Sequence, residues 1–271
     1  MKTFSRLVVI TCCLIAAAPF LWHVISSLKT PAEVMQIPPT ILPSRPTLEN
    51  YIELIRRRPF LAYCLNSFVI ACLSSVLCVA SGSLAAYRLA RSSSRVRLTI
   101  SSALLGLAFF PPIVFLLPLY ELVRVLGLVN HPWGLIVPYA ALNLPLTIWL
   151  LTGFFRQIPK ELDEAAEMDG LTPLQTFFSV LLPLAAPALA TAAVLVFVFA
   201  WNEYMLALTF MNAESSRTVT VAVATLSGAF VYEIPWGLIA AGVVASSLPL
   251  IVLAVFFQQK IVAGLTAGSV K

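Results

Sequence analysis

Charged side chains are scarce in this sequence. Only 11% of its 271 residues are Asp, Glu, Lys or Arg, whereas 60% are hydrophobic. A soluble domain usually carries about 25% charged residues, so this chain cannot cover a water-exposed surface with charge. The deficit excludes an ordinary soluble globular protein. The net charge of +5 is therefore interpreted through membrane topology rather than as a nucleic-acid footprint.

Residues that commonly carry catalysis or metal binding are also few. The two histidines, His23 and His131, lie far apart, and no Gly-x-x-x-x-Gly-Lys-Ser/Thr sequence for nucleotide phosphates occurs. The sequence predicts no catalytic residue, no metal site and no cofactor bound by this chain. The cysteines lie in apolar runs without metal-ligand spacing, and we interpret them as small buried hydrophobes: Cys12, Cys13, Cys64, Cys72 and Cys78.

Apolar residues, by contrast, form runs of roughly 20 or more, long enough to cross a bilayer core of about 30 Å as helices. The sequence predicts an all-α membrane protein with a single transmembrane domain, residues 1–271. Its six spans are expected at about residues 7–28, 61–87, 98–122, 135–155, 184–211 and 236–257. The first run also has the basic start and small residues of a cleaved signal peptide, but its apolar character continues to Leu28, which favours an uncleaved helix.

The connecting segments carry further signals. A proline-rich loop precedes the second span and ends in a short predicted helix, with Thr47 as its N-cap. An even number of spans places both termini on one side of the membrane. If that side is the cytoplasm, ten of the 17 Lys and Arg residues lie inside, a weak positive-inside bias. Residues 258–271 form a C-terminal tail.

Residues 156–183, between the fourth and fifth spans, contain five carboxylates within the nine residues 161–169. Pro159 and the acidic Glu161, Asp163 and Glu164 suit the first turn of a helix, where the helix dipole favours negative charge. Gly170 suits a left-handed helix end, and the Thr-Pro pair that follows can begin another helix. The segment predicts a two-turn helix, a glycine bend and a second helix. The alternative is a solvated loop whose charges only keep it in water.

The spacing in this segment resembles a family pattern. Residues 164–170 read Glu-Ala-Ala, three residues, Gly; nine residues later, 180–183 read Val-Leu-Leu-Pro. The EAA loop of binding-protein-dependent ABC importers has this spacing, with Ile where Val180 stands here. In that family the loop is the cytoplasmic coupling helix, which docks into a groove of the ATPase. The resemblance assigns ATPase coupling to Glu161, Glu164, Ala165, Ala166, Met168, Asp169, Gly170 and Pro183.

The resemblance extends over most of the chain. Residues 118–139, 144–170, 199–208 and the tail resemble the carbohydrate branch of these permeases, in particular the shorter membrane subunit of maltose and trehalose importers. It implies a sugar substrate, a multi-pass protein of the bacterial inner membrane and cytoplasmic termini. The implied partners are a homologous permease subunit in a heterodimer, a dimer of ATPase subunits that hold ATP and Mg²⁺, an extracytoplasmic sugar-binding protein and membrane lipid, without nucleic acid. It also implies a tail that reaches toward the ATPase pair, the alternative being a frayed terminus.

Polar groups inside spans are costly, about 2.5–3.5 kcal/mol for a central charge, and usually face protein or water. A sugar needs aromatic faces beside hydrogen-bonding groups. We therefore assign the substrate path to Asn143, Trp201, Asn202, Glu203 and Tyr204. Bonding between helices is the structural alternative for the polar side chains, and a lipid-facing position for the tryptophan. Glu121 and Arg124, three residues apart, are expected to pair.

Two other function classes fit less of the sequence. An ion-coupled secondary transporter could use Glu203 as a proton site, but it leaves the EAA spacing unexplained. An intramembrane enzyme would need metal ligands or an activated nucleophile, which two isolated histidines do not supply. The sequence thus favours a permease subunit that translocates a sugar, such as trehalose, maltose or glucosylglycerol.

Overall fold

The computed structural model describes residues 2–226 and 234–266, with side chains over 6–56, 58–226 and 234–258. The regular secondary structure of these residues is helical, and none of them forms a strand. Short 3₁₀ turns at Pro112–Phe115 and Glu214–Ser216, and a π-helical turn at Phe177–Leu181, interrupt the α-helices. In chain order the α-helices are α1 (Lys2–Ser27), α2 (Pro31–Val34), α3 (Glu49–Arg57), α4 (Phe60–Arg91), α5 (Ser94–Ala108), α6 (Leu116–Val125), α7 (Trp133–Phe155), α8 (Glu161–Met168), α9 (Pro173–Thr176), α10 (Leu182–Leu184), α11 (Ala186–Asn202), α12 (Met205–Phe210), α13 (Val219–Ala224) and α14 (Trp236–Thr266).

Within the described residues, four helices are long and apolar enough to cross a membrane: α1, α4, α7 and α14. Two bent pairs also qualify if each pair is one span, which gives the six predicted crossings. Helix α14 continues beyond the expected end of the sixth span, so the predicted tail is helical as far as Thr266. Residues 267–271 of that tail lie outside the described residues.

The third and fifth spans are bent rather than straight. The third turns by 83° where Pro111 and Pro112 follow α5, because the residue before a proline is pushed out of the helical region. The segment 173–184 meets α11 at 79°, with the corner at Ala185. The fifth span is broken once more at Glu203 and Tyr204, before α12. Proline positions indicate the first bend, while the expected span 184–211 runs through the other two breaks.

The chain forms two compact units, and each is described by itself. One comprises residues 1–65 and 218–251, the other 66–217 and 252–271. In the first unit the buried Asn50 amide donates to the carbonyls of Ser27 (2.9 Å) and Lys29 (2.8 Å). This contact holds the start of α3 to the end of α1. Thr47 lies one residue before Leu48, the N-cap of α3, and its hydroxyl accepts from the Glu49 N–H (3.1 Å).

The second unit has a core of aromatic and small side chains where α4, α7, α11 and the π-turn meet. Tyr87 of α4 packs on Phe155 of α7 and on Phe177 of the π-turn, at ring centroid distances of 6.0 and 5.6 Å. Leu181 and Ala185 lie fully buried in the same cluster. Three span-forming helices and the bent segment before α11 therefore share one packed core.

The cysteines are distributed differently from the prediction. Cys78 is buried and its thiol contacts the Thr147 hydroxyl at 3.3 Å, as expected for a small core residue. Cys12 and Cys13 are exposed on α1, so their predicted burial is wrong within this chain. The apolar window of α1 has no buried share, which leaves its side chains to lipid or to another chain.

A tight turn fixes the start of α7. Asn130 adopts a left-handed conformation (φ 61°), its N–H donates to the Phe210 carbonyl (2.8 Å), and its side chain accepts from the Ala213 N–H (2.8 Å). Gly134 lies directly behind this turn, and a Cβ there would stand 2.4 Å from the Leu128 carbonyl oxygen. Because that obstacle is backbone, it cannot move aside cheaply.

We expect Gly134→Ala to destabilise the chain by about 1–3 kcal/mol, the usual cost of forcing a methyl group into filled space. Gly153→Ala on the same helix is the matched control, since nothing lies within 4 Å of its Cβ position. Alanine is favoured over glycine inside a helix by roughly 0.5–1 kcal/mol, so the control should unfold at an equal or higher temperature. Thermal unfolding in detergent measures both. Equal melting temperatures would contradict the close approach at Gly134.

Candidate functional site

The acidic segment folds as the sequence predicts, into a helix, a glycine bend and a second helix. Helix α8 carries Glu161, Asp163 and Glu164 in its first turn. Gly170 has φ +82°, its N–H bonds to the Glu167 carbonyl and the Leu171 N–H to the Ala166 carbonyl, both at 3.0 Å. These two bonds close the helix in the manner that favours glycine. The bend therefore depends on Gly170.

The second helix begins with a reciprocal cap. The Thr172 hydroxyl accepts from the Gln175 N–H (3.4 Å), and the Gln175 side chain accepts from the Thr172 N–H (2.8 Å). Pro173 occupies the first helical position, where its missing N–H is not needed. The C-cap of α8, Asp169, and the N-cap of α9, Thr172, are only three residues apart. Because both helix ends are closed by hydrogen bonds, the corner at Gly170 is rigid.

The predicted coupling residues lie mostly on the outer side of this corner. Ala166 is buried, and Met168 is 89% exposed, a large apolar side chain without cover in this chain. The remaining predicted residues are exposed: Glu161, Glu164, Ala165, Asp169, Gly170 and Pro183. Helix α8 thus presents an acidic and partly apolar surface outward and is held from its other side.

The inner side of α8 is held by a cluster that we call the anchor: Tyr87, Arg91 and Asp163. The Asp163 carboxylate accepts from the Tyr87 hydroxyl (2.7 Å) and pairs with the Arg91 guanidinium (2.6 Å). The same guanidinium donates to the carbonyls of Phe155 (3.2 Å) and Ile158 (3.1 Å) at the end of α7. The anchor therefore ties α8 to α4 and α7 together.

Sequence reasoning missed the anchor. In the sequence, Asp163 indicates only a favourable first helix turn, and nothing relates it to Arg91, 72 positions away. The Arg91 and Asp163 side chains are 16% and 22% exposed, so the pair is shielded from water. Two local signals exist: the carboxylate on the inner side of α8, and the tyrosine and arginine four residues apart on α4. Neither signal identifies the residue with which it interacts.

The predicted substrate-path residues lie around the break between α11 and α12. The Glu203 carboxylate accepts from the N–H groups of Leu206 (2.9 Å) and Ala207 (3.0 Å), which caps α12. It also accepts from the hydroxyl of the fully buried Tyr139 on α7 (2.6 Å). A carboxylate with three donors is accommodated within a span because its charge is shared by hydrogen bonds. Glu203 thus stabilises the break and joins it to α7.

The other path residues divide by exposure. Trp201 is buried and stacks on Phe197 at 5.7 Å, a position in the protein core rather than against lipid. Asn202 is exposed, and its amide donates to the Val198 carbonyl of its own helix (2.8 Å). Tyr204 is half-buried beside it. Asn143 is buried on α7 and donates to the Tyr139 carbonyl (2.8 Å). Asn202 and, in part, Tyr204 therefore lie at the surface of this chain.

We expect Arg91 and Asp163 of the anchor to be coupled energetically, so that losing either partner leaves the other charge unpaired. In a double-mutant cycle with Arg91→Gln and Asp163→Asn, the coupling energy should be about 1–3 kcal/mol, as for shielded hydrogen bonds to charged groups. The predicted pair of Glu121 and Arg124 is the matched control; it forms at 3.0 Å, but its side chains are 58% and 61% exposed. Exposed pairs contribute roughly 0–1 kcal/mol. Chemical unfolding of the detergent-solubilised chain gives both cycles, and equal coupling energies would contradict the anchor.

Comparison with known proteins places the chain in a family. Its residues 79–266 match the model of the binding-protein-dependent transport system inner membrane component. It is 43% identical over 257 residues to the trehalose transport system permease protein SugB of Mycobacterium tuberculosis, covering 94% of this chain and 93% of that protein. It is 41% identical to the trehalose/maltose transport system permease protein MalG of Thermococcus litoralis, covering 95% and 92% of the two chains.

A third relative and a solved structure are also similar to this chain. The sulfoquinovosyl glycerol transport system permease protein SmoH of Agrobacterium fabrum is 40% identical, covering 93% of this chain and 88% of that protein. A chain of a bacterial ABC transporter involved in the import of the polysaccharide alginate has the same fold, with a TM-score of 0.79, 24% identity and 95% coverage of both chains. The resemblance drawn from the EAA spacing is confirmed, and the chain belongs to the family of binding-protein-dependent transport system inner membrane components.

Proposed function

We propose that this chain is a membrane-spanning subunit of an ABC importer that carries a sugar across the bacterial cytoplasmic membrane. The observation that carries the proposal is the exposed acidic helix α8, closed at Gly170 and tied to two membrane helices by the anchor. A solvated loop needs neither a rigid corner nor a shielded ion pair. A helix that transmits force to the membrane domain needs both.

In this proposal α8 is the coupling helix and docks into a groove of a cytoplasmic ATPase subunit. ATP and Mg²⁺ are held by a dimer of that partner, and hydrolysis takes place there. When the ATPase pair closes, it displaces α8. Because Asp163 holds Tyr87 and Arg91, and Arg91 holds the end of α7, the displacement reaches α4 and α7 together.

The cargo is proposed to be an oligosaccharide or an α-glucoside such as trehalose, maltose or glucosylglycerol. Support comes from relatives whose names specify trehalose, trehalose/maltose and sulfoquinovosyl glycerol. Around the break at Glu203, Asn202 offers an amide and Tyr204 a ring and a hydroxyl. Together these groups can pair with sugar hydroxyls and stack on a C–H face. Glu203 and Asn143 would hold the surrounding backbone instead of touching the cargo.

The complete importer would comprise a homologous permease subunit, two ATPase subunits and an extracytoplasmic sugar-binding protein. A solved bacterial alginate ABC transporter in complex with its pentasaccharide-bound periplasmic protein resembles this chain in fold, with a TM-score of 0.65 and 13% identity. Docking of α8 on a cytoplasmic ATPase would place both termini in the cytoplasm.

The direct test is purification of this chain from its membrane in mild detergent, followed by mass spectrometry of the accompanying chains. A second permease and an ATPase with a Walker A sequence are the expected partners. Recovery of the chain alone or as a homodimer, together with sugar uptake that persists without an ATPase, would overturn the proposal and favour an ion-coupled carrier.

We expect Glu164→Lys and Gly170→Pro each to reduce sugar uptake by at least about tenfold while membrane insertion is retained. The first reverses charge on the exposed face of α8. The second places proline, fixed near φ −65°, where the backbone needs +82°. Uptake of labelled sugar and recovery of the ATPase with the tagged chain measure the effect. Glu49→Lys, an exposed acidic position in the first turn of α3, is the control and should transport normally. Normal uptake and ATPase recovery in both α8 variants would rule out the coupling role.

We expect Asn202→Leu to change the sugar selectivity of the assembled importer, because the variant loses an exposed amide beside the break. The apparent KM should rise several-fold for some sugars, while Asn202→Gln, which keeps an amide, should stay closer to the parent. Uptake kinetics across a panel of di- and trisaccharides provide the measurement. Unchanged kinetics for every sugar would make Asn202 a structural residue.

A further inference from the structure

A second polar feature lies beside the anchor. A cavity of about 440 Å³ opens between the corner that joins α4 to α5 and the connection from α7 to α8. Its lining residues, which we call the basic cleft, are Ala90, Arg91, Ser92, Ser93, Ser94, Arg97, Arg156, Ile158, Pro159 and Lys160. Four of the ten side chains are cationic and none is acidic.

Most of this positive charge is uncompensated. Arg91 at the rear of the cleft is paired with Asp163. Among the described residues no carboxylate lies within ion-pair distance of Arg97, Arg156 or Lys160. Arg97 is held in place by its bond to the Ser92 carbonyl (3.0 Å), whereas Arg156 and Lys160 are exposed at the opening. Three like charges around one cavity repel one another, and an anion between them would relieve that repulsion.

Hydrogen-bond donors add to the charge. Ser93 is the N-cap of the 15-residue helix α5 and makes no capping bond with its side chain. Ser93 and Ser94 at the start of α5 line the cleft, so the positive dipole end of this helix lies beside the cations. A group with several negative oxygens, such as a phosphate, matches this set better than a single carboxylate.

The location favours a phosphate that belongs to a lipid. The cleft lies where α4 and α7 end and α5 begins, which is the membrane boundary of three span-forming helices. On α5, Val96 and Ile100 lie beside these cations, four residues apart on one helix face, and are 47% and 43% exposed. A soluble anion would make no favourable contact with apolar side chains beside its site, whereas the acyl chain of a lipid would cover them. Basic pockets between membrane helices on the cytoplasmic side commonly receive anionic head groups.

We propose that the basic cleft binds the phosphate of an anionic phospholipid, such as phosphatidylglycerol, with Arg97, Arg156 and Lys160 around the head group and an acyl chain along α5. Arg91 belongs both to the cleft and to the anchor, so the bound lipid is electrostatically linked to the helix that we propose to couple transport. The lipid site itself does not depend on the transported sugar or on the ATPase.

The test uses the full chain with whatever partners purify with it, reconstituted in phosphatidylcholine nanodiscs with or without phosphatidylglycerol. Spin-labelled phosphatidylglycerol reports the motionally restricted lipid. The double variant Arg156→Gln/Lys160→Gln removes two cleft cations without disturbing Arg97, which supports the loop. The matched control is Arg88→Gln/Arg95→Gln, which removes two exposed cations from the same corner that do not line the cleft.

The expected result is an affinity for phosphatidylglycerol about tenfold or more lower in the cleft variant, with a much smaller change in the control. Inorganic phosphate should not displace the labelled lipid. Equal losses of affinity in both variants would show that diffuse surface charge attracts the lipid, and this result would overturn the proposal. Displacement by inorganic phosphate would reassign the cleft to a soluble anion. Loss of a co-purifying protein, with lipid binding intact, would reassign it to a protein contact.

Discussion

The shielded pair between Arg91 and Asp163 is the interaction on which the organisation of the second unit depends. It is the point where a helix outside the spans, α8, meets the ends of α4 and α7, which cross the membrane. An ion pair of this exposure does little as a source of net stability, because desolvation offsets much of its attraction. Breaking it is costly because one charge is left without a partner. Its value is specificity: α8 can occupy one position relative to α4 and α7.

Around the break between α11 and α12, a carboxylate again fixes the position of a helix. A broken helix within a membrane must satisfy its freed backbone groups internally, since lipid offers no hydrogen bonds. Glu203 does so for two N–H groups of α12 and secures itself with the buried Tyr139 hydroxyl. The Glu203 carboxylate thus makes hydrogen bonds that stabilise the fold around the break. Its neighbours Asn202 and Tyr204 keep the accessible positions, and the break exists because Glu203 supports it.

Local signals in the sequence were sufficient for local structure. Gly170, Thr172 and Pro173 predicted the bend and the second helix, because each acts on its own backbone. Contacts between residues distant in sequence could not be predicted from such local signals. Tyr87 and Asp163 are 76 positions apart, and Tyr139 and Glu203 are 64 positions apart. The prediction that Cys12 and Cys13 are buried, which was based on apolar content, was wrong for a related reason. In a membrane protein, an apolar residue is as well placed facing lipid as facing the core, so hydrophobicity alone does not predict burial.

Two routes lead from α8 into the membrane, and they converge. One passes through Asp163 to Tyr87 and Arg91. The other follows the chain through the rigid corner at Gly170 into the bent segment before α11. Both end in the same core, where Tyr87 packs against Phe155 and Phe177. A core at close-packed density resists shear, so elements fixed to it from two directions move together and not past one another. Under the proposed function, a displacement of α8 would therefore carry α4, α7 and α11 as one body. Helix α11 would bring with it the break at its far end, beside the side chains proposed to face the sugar.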